Sequence, residues 1–254
     1  MKMVVGKEKE CGTEKVTEVL NTFITSIRPV ISKYMIESMI ARIITTYEPV
    51  DYKIEVSDLS FGLMGIRTSY DRFKISSNKM MESTFDTESY MKEIRAGFVT
   101  LRNEIKVRTD ILNEHRVDSH DELMERFPDL LLPKIFHFVY TLEGLLNNLE
   151  GTDRLEVLRD LEYILMEGPR LGIYMVIAAN SPDSIADSFR AIKCDYNSCN
   201  WLYVREYKDF GRKAYRLEDH SVVFESPTSE STVLNIFILP TDVLDKVTRI
   251  LEEV

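Results

Sequence analysis

The chain has 254 residues, 44% of them hydrophobic and 29% charged, the balance of a folded domain with a sizeable core rather than of a disordered or fibrous chain. Its net charge of −10, from 42 acidic and 32 basic residues, weighs against a function tracking nucleic acid, because neutralised phosphates supply most non-specific affinity there. No apolar stretch approaches the roughly 20 residues of a membrane helix, no apolar core follows Met1 as in a signal peptide, and Cys11, Cys194 and Cys199 are too few and too irregularly spaced for a disulfide frame or a metal site.

In chain order, Val16, Val19, Leu20, Phe23, Ile24 and Ile27 recur at helical spacing and favour a helix there. Met35, Ile36, Met39, Ile40, Ile43, Ile44 and Tyr47 predict a second helix over 35–47, stopped by Pro49. Residues 52–56 alternate apolar with polar and predict a strand ending near Asp58. A long amphipathic helix follows over 87–114, then a shorter one over 118–127 with Asp118 and Ser119 as start signals. Pro133 introduces a β-rich run over 134–140. Residues 155–166 read as helix, broken by Gly168-Pro169. The unbroken apolar run over 173–179 is the pattern of a strand buried on both faces of a parallel sheet. Further strands are expected over 201–204 and 232–239, and a closing helix over 242–252. Strands alternating with helices predict a three-layer α/β fold with a mainly parallel central sheet, in one domain over residues 1–254.

Four segments in order resemble the FtsK/SpoIIIE-type P-loop ATPase domains. Gly168-Pro169-Arg170-Leu171-Gly172-Ile173-Tyr174, a strand, and then Ala179-Asn180-Ser181-Pro182 resemble that family's G-R-x-L-G-I-H, strand and A-T-Q-R-P. The run from Leu131 to Leu146 is similar to the strand that ends in the Walker B Asp-Glu pair. Residues 108–123 resemble the helix before it, and residues 210–225, with Gly211-Arg212, resemble the later G-R-G strands. Together they span roughly residues 23–226. Within the family, the likeness is greatest to the degenerate third, C-terminal ATPase domain of the type VII secretion coupling ATPases (EssC/EccC). The resemblance implies a P-loop NTPase-like fold and a piece of a larger, membrane-anchored chain, held at the cytoplasmic side of a bacterial membrane. Its implied partners are the preceding ATPase domain of that chain and secreted helical-hairpin proteins of the WXG100 class, with no nucleic acid and no membrane contact of its own.

A phosphate loop needs glycines whose backbone N–H groups wrap the phosphates, a lysine for the β/γ oxygens and a Ser/Thr hydroxyl for Mg²⁺. Two frames compete for that place. One runs from Val4-Val5-Gly6 to Gly12-Thr13 and has no lysine after Gly12. The other, preferred, runs from Ile27 to Tyr34 and puts Lys33 25 residues before Asp58, close to that family's spacing from the loop lysine to the Asp ending the next strand. It requires a strand near residues 23–26, against the helical spacing noted above. In that frame Ile27 and Ser32 replace the glycines, Tyr34 replaces the Mg²⁺ hydroxyl, and Val30 and Ile31 would crowd a triphosphate. At the second site Tyr140 and Thr141 stand in the place of the Walker B pair, with Glu143 two residues on. Ser32, Lys33, Tyr34, Tyr140, Thr141 and Glu143 are thus the residues of a degenerate nucleotide site. Arg212 is a candidate trans-acting arginine by its G-R position. No catalytic residue, no metal site and no cofactor is expected; ATP and Mg²⁺ enter only if the degenerate site still binds. The expected function is that of a non-hydrolysing module of a type VII secretion motor, and the alternative an active or nucleotide-binding FtsK-type ATPase that translocates protein or DNA. His137, on an apolar strand, reads as a satisfied core histidine, and Asp118, His120 and Asp121 as a helix start rather than an acid–base cluster.

Overall fold

The structure is a computed structural model that describes residues 2–8, 14–26, 29–58, 73–75, 87–188, 198–204, 207–208, 214–215, 221–227 and 229–235. Its strands are β1 (Lys2–Glu8), β2 (Glu14–Glu18), β3 (Thr22–Ser26), β4 (Tyr52–Asp58), β5 (Phe73–Ile75), β6 (Lys134–Tyr140), β7 (Ile173–Ala179), β8 (Asn200–Val204), β9 (Tyr207–Lys208), β10 (Ala214–Tyr215), β11 (Ser221–Ser226) and β12 (Ser229–Asn235). The helices are α1 (Pro29–Thr46), α2 (Thr87–His115), α3 (His120–Arg126), α4 (Leu142–Asn147), α5 (Gly151–Glu167) and α6 (Pro182–Ser188). Residues 242–252, the expected closing helix, lie outside the described residues.

Ten strands form one sheet in the order β2-β1-β12-β11-β8-β3-β7-β6-β4-β5. From β8 to β5 every pairing is parallel. The other four strands extend this core antiparallel. The parallel strands β6 and β7 are buried at every position, which is why the sequence of β7 reads as a continuous apolar run and that of β6 as a β-rich one.

Two apolar layers sandwich the sheet. On one face α1 lays Ile31, Met35, Ile36, Met39, Ile40 and Ile43 against Ile54, Phe136, Phe138 and Val176. On the other, α2, α4, α5 and α6 cover Phe23, Ile135, Val139, Ile173 and Ile177. This is the three-layer α/β architecture expected. Across the outer side of the second layer, Arg95 bridges Asp153 and Arg102 bridges Asp160 at 2.8 Å, so α2 and α5 run parallel, side by side.

Where helical spacing stood against the strand required near 23–26, the chain forms two strands, β2 and β3, joined through residues 19–21. Thr22, Phe23, Ile24, Thr25 and Ser26 are all buried, between β7 and β8. A segment buried on both sides with β-branched Thr22, Ile24 and Thr25 packs well as a central strand, and the helical spacing of its neighbours is overridden by tertiary burial. The preferred phosphate-loop frame therefore has its strand.

Candidate functional site

All six parallel strands end on the same edge of the sheet. β3 leads into α1 on one face, whereas its neighbour β7 leads into α6, whose Ile185 joins the layer on the opposite face. Adjacent strands whose connections leave to opposite sides open a crevice beyond their carboxyl ends, the usual ligand position in open α/β sheets. The tips bordering it are Ser26 of β3, Ala179-Asn180 of β7 and Tyr140-Thr141 of β6.

On the β3 side, only residues 27 and 28 separate the strand from α1, and Pro29–Thr46 is helix throughout. Residues 29–34, most of the frame in which a phosphate loop was sought, are therefore the opening turns of a helix. There the N–H groups of Lys33 and Tyr34 fall due to the carbonyls of Pro29 and Val30, and Pro29 has no N–H to give. Ile31 does not crowd the crevice: it packs into the core, while Val30 is 48% exposed. That corrects the expected role of the pair, and the cause is helical periodicity, which assigns residue 31 to the buried stripe. Ser32 is buried, and Tyr34 is half-buried. Lys33 is directed one turn down the helix, its Nζ 3.7 Å from Oε1 of the buried Glu37. Desolvation holds the Glu37 carboxyl above the usual glutamate range, with Lys33 pulling the other way.

On the β6 side the strand ends in Tyr140, buried in the layer under α1, and Thr141, which adopts φ 60° and ψ 95°. A β-branched residue at positive φ is strained. The turn is tight enough that a Cβ on Gly144 would lie 2.5 Å from Thr141 Oγ1. It directs Glu143 to the tip of the neighbouring β7, beside the crevice, where Oε1 accepts the Asn180 N–H at 2.8 Å. Its second oxygen is buried without a hydrogen-bond partner.

The structure thus brings both halves of the sought site to one edge, two strand spacings or about 10 Å apart. Arg212 lies outside the described residues. Among the described residues no group of three His, Cys, Asp or Glu is arranged to hold a metal, and no helix is long and apolar enough to cross a membrane. Cys199 is buried and in no disulfide among the described residues; Cys11 and Cys194 lie outside them.

Sequence reasoning did not find the chain Ser57–His137–Glu55. His137 Nε2 lies 3.0 Å from Ser57 Oγ, and Nδ1 lies 3.2 Å from Glu55 Oε2. A carboxylate only accepts, so in the neutral imidazole Nδ1–H donates to Glu55 and Nε2 accepts the Ser57 hydroxyl. The connectivity is that of a serine-hydrolase relay, but Ser57 is 4% exposed and Phe98 of α2 packs on the imidazole at 5.3 Å. No substrate reaches the hydroxyl. The trio pins β4 to β6. Period-two placement of Glu55 and Ser57 on one face of β4 was the signal available in the sequence.

At the opposite edge of the sheet, Ser119 caps α3 by accepting the Glu122 N–H at 3.2 Å. His120 is buried on Gly172 and hydrogen-bonds the Leu132 carbonyl at 2.8 Å, while Lys134 reaches Asp121 at 2.6 Å. Arg108, 1% exposed, donates to the carbonyls of Leu171 and Pro133 and to Glu104. These residues fasten helices to strand starts, away from the crevice.

This arrangement is a P-loop NTPase-like α/β fold, with a parallel core and its ligand crevice at the strand ends. No family model and no curated protein matches the sequence. Solved structures do. The pCW3 conjugation coupling protein TcpA, in a monomer form with ATPgS, superposes with TM-score 0.71 at 12% identity, over 98% of this chain and 70% of that one. EssC (ATPases 2 and 3) from Geobacillus thermodenitrificans matches with TM-score 0.66 at 14% identity, over 100% and 48% of the respective chains. Thermomonospora curvata EccC (ATPases 2 and 3), in complex with a signal sequence peptide, gives TM-score 0.64 at 12% identity, over 94% and 41%. The chain therefore shares its fold with ATPase domains of type VII secretion and FtsK-like coupling proteins, and spans less than half the length of these two secretion ATPases.

Proposed function

We propose that this chain is a non-hydrolysing, ATPase-like module of a type VII secretion motor, acting by recognising secreted substrate and by regulating or assembling the motor. The observation that carries this reading is the frame at residues 29–34. Where phosphates need glycines that let the backbone wrap them and a lysine, the frame has no glycine, a proline without an N–H at the helix start and a lysine paired with its own glutamate. Tyr140 and Thr141 offer no carboxylate for Mg²⁺ or for the attacking water, and Glu143 is held to the β7 tip through the Asn180 N–H. Mg·ATP does not fit these residues. The partners we assign are a preceding ATPase domain in the same chain and WXG100-type secreted proteins, and the place is the cytoplasmic face of the membrane that anchors the parent chain. The EccC match, solved with a signal sequence peptide, supports the substrate half of this assignment.

A second reading, a nucleotide-binding FtsK-type ATPase, is favoured by the coupling-protein match, which was solved with ATPgS. Calorimetric titration separates the two. We expect no saturable Mg·ATP binding up to about 1 mM, which corresponds to barely 4 kcal/mol of affinity, and no change on Lys33→Ala. A micromolar, Mg²⁺-dependent affinity lost in Lys33→Ala overturns the proposal in favour of the second reading.

A further inference from the structure

Glu143 places a carboxylate at the tips of β6 and β7, where a polyanion would have to approach, and Lys33 is turned away to Glu37. We propose that Glu143 makes this crevice a receptor for a guanidinium group, an arginine side chain presented by a partner polypeptide. The proposal rests on the reading that no triphosphate occupies the crevice, and extends it by naming what does.

Three observations converge on Glu143. The first is strain: Thr141 is held at φ 60°, a cost that persists only where surrounding structure imposes it, and such residues gather at ligand sites. The second is the tight return of the turn onto Gly144, where any Cβ would meet Thr141 Oγ1. Together these give the turn one geometry, with the carboxylate directed at the β7 tip. The third is an unmet bond. Glu143 Oε1 is satisfied by Asn180, but Oε2 is sheltered from water and has no partner. An anionic oxygen deprived of both water and donor is costly, more so than a neutral one, and a charged donor removes the cost.

Guanidinium suits the vacancy better than ammonium. It is weakly hydrated, so it gives up less on entering a sheltered place, and its planar fork supplies several N–H groups to one carboxylate. Glu143 as a whole is partly exposed, and the torsion next to a carboxylate is soft.

The test uses argininamide as the probe, followed through the backbone amide resonances of Thr141 and Asn180 in the full chain. Glu143→Gln is the decisive variant, because its side-chain carbonyl still accepts the Asn180 N–H while the charge is gone; its melting temperature is measured beside the wild type. Argininamide is expected to shift both resonances saturably, with affinity at least about tenfold weaker in Glu143→Gln, as for loss of a charge-assisted pair. Binding that is absent, or equal in the two proteins, overturns the proposal. So does pyrophosphate shifting the same two resonances more strongly than argininamide. If argininamide fails while Mg·ATP also fails to bind, this inference falls and the proposed function stands. If Mg·ATP binds through Lys33, the proposed function falls whatever argininamide does.

Discussion

At the scale of single residues, Lys33 and Glu37 decide the character of the site. The pair is spaced i, i+4, with the lysine first, the weaker of the two orders, worth only a few tenths of a kcal/mol when exposed. Glu37 is not exposed: its side chain is 3% accessible, and burial outweighs Lys33 in keeping its carboxyl above the ordinary glutamate value of 4.5. The folded chain therefore holds that proton more tightly than the unfolded chain. Stability conferred on the protonated form is whole below the unfolded value and is lost as pH rises from there through the raised folded value. Glu37→Gln is accordingly expected to raise stability at pH 7, with its advantage over the wild type shrinking as pH falls through the raised folded value toward 4.5 and levelling off below that. Denaturant melts at a series of pH values measure this; a Gln variant less stable than wild type at pH 7 contradicts it. The spacing was visible in the sequence. Its meaning was not, because only the fold shows that position 37 faces the core. Gly172 is a similar case. The motif marked it, but its φ of 75° and the His120 ring packed on its α-carbon explain why a side chain is excluded.

At the scale of elements, β6 and β7 were legible to the residue: burial on both faces leaves an unbroken apolar run in β7, and β6 is a β-rich run introduced by Pro133. The start of α1 was not: the predicted helix began at Met35, and the observed one begins at Pro29. Proline suits the first turn of a helix, but no Ser, Thr, Asp or Asn stands just before it to announce the start. β3 was obscured by a coincidental helical spacing around Phe23, and a short residue beside it does the work of seating it. Asn21 donates to the Leu165 carbonyl at 2.7 Å and accepts the Met175 N–H at 2.9 Å, tying the start of β3 to α5 and β7. Its own carbonyl takes the Asn200 N–H of β8 at 2.9 Å. Asn21→Ala leaves a buried donor and a buried acceptor unmatched and should cost about 3 kcal/mol in chemical denaturation. A loss under about 1 kcal/mol would mean that water replaces both bonds. The turn at Thr141 lay beyond reach of the sequence, because nothing in Thr-Leu-Glu-Gly announces a positive φ at a β-branched residue.

At the scale of the whole molecule, composition and strand–helix alternation sufficed for the architecture, while the antiparallel extension through β11, β12, β1 and β2 depends on pairings between distant segments that no local pattern encodes. The charge of −10 carries its own expectation: duplex DNA at about 0.15 M salt should show no retention by this chain, since acidic surfaces gain nothing from counterion release. Salt-sensitive retention in a filter assay would contradict that and favour a DNA translocase.

The two Arg–Asp bridges between α2 and α5 bear on how the molecule moves. Seven residues separate Arg95 from Arg102, and seven separate Asp153 from Asp160. Sliding either helix by a single turn, about 5.4 Å, unclasps both bridges together. The layer consequently resists shear and behaves as one plate.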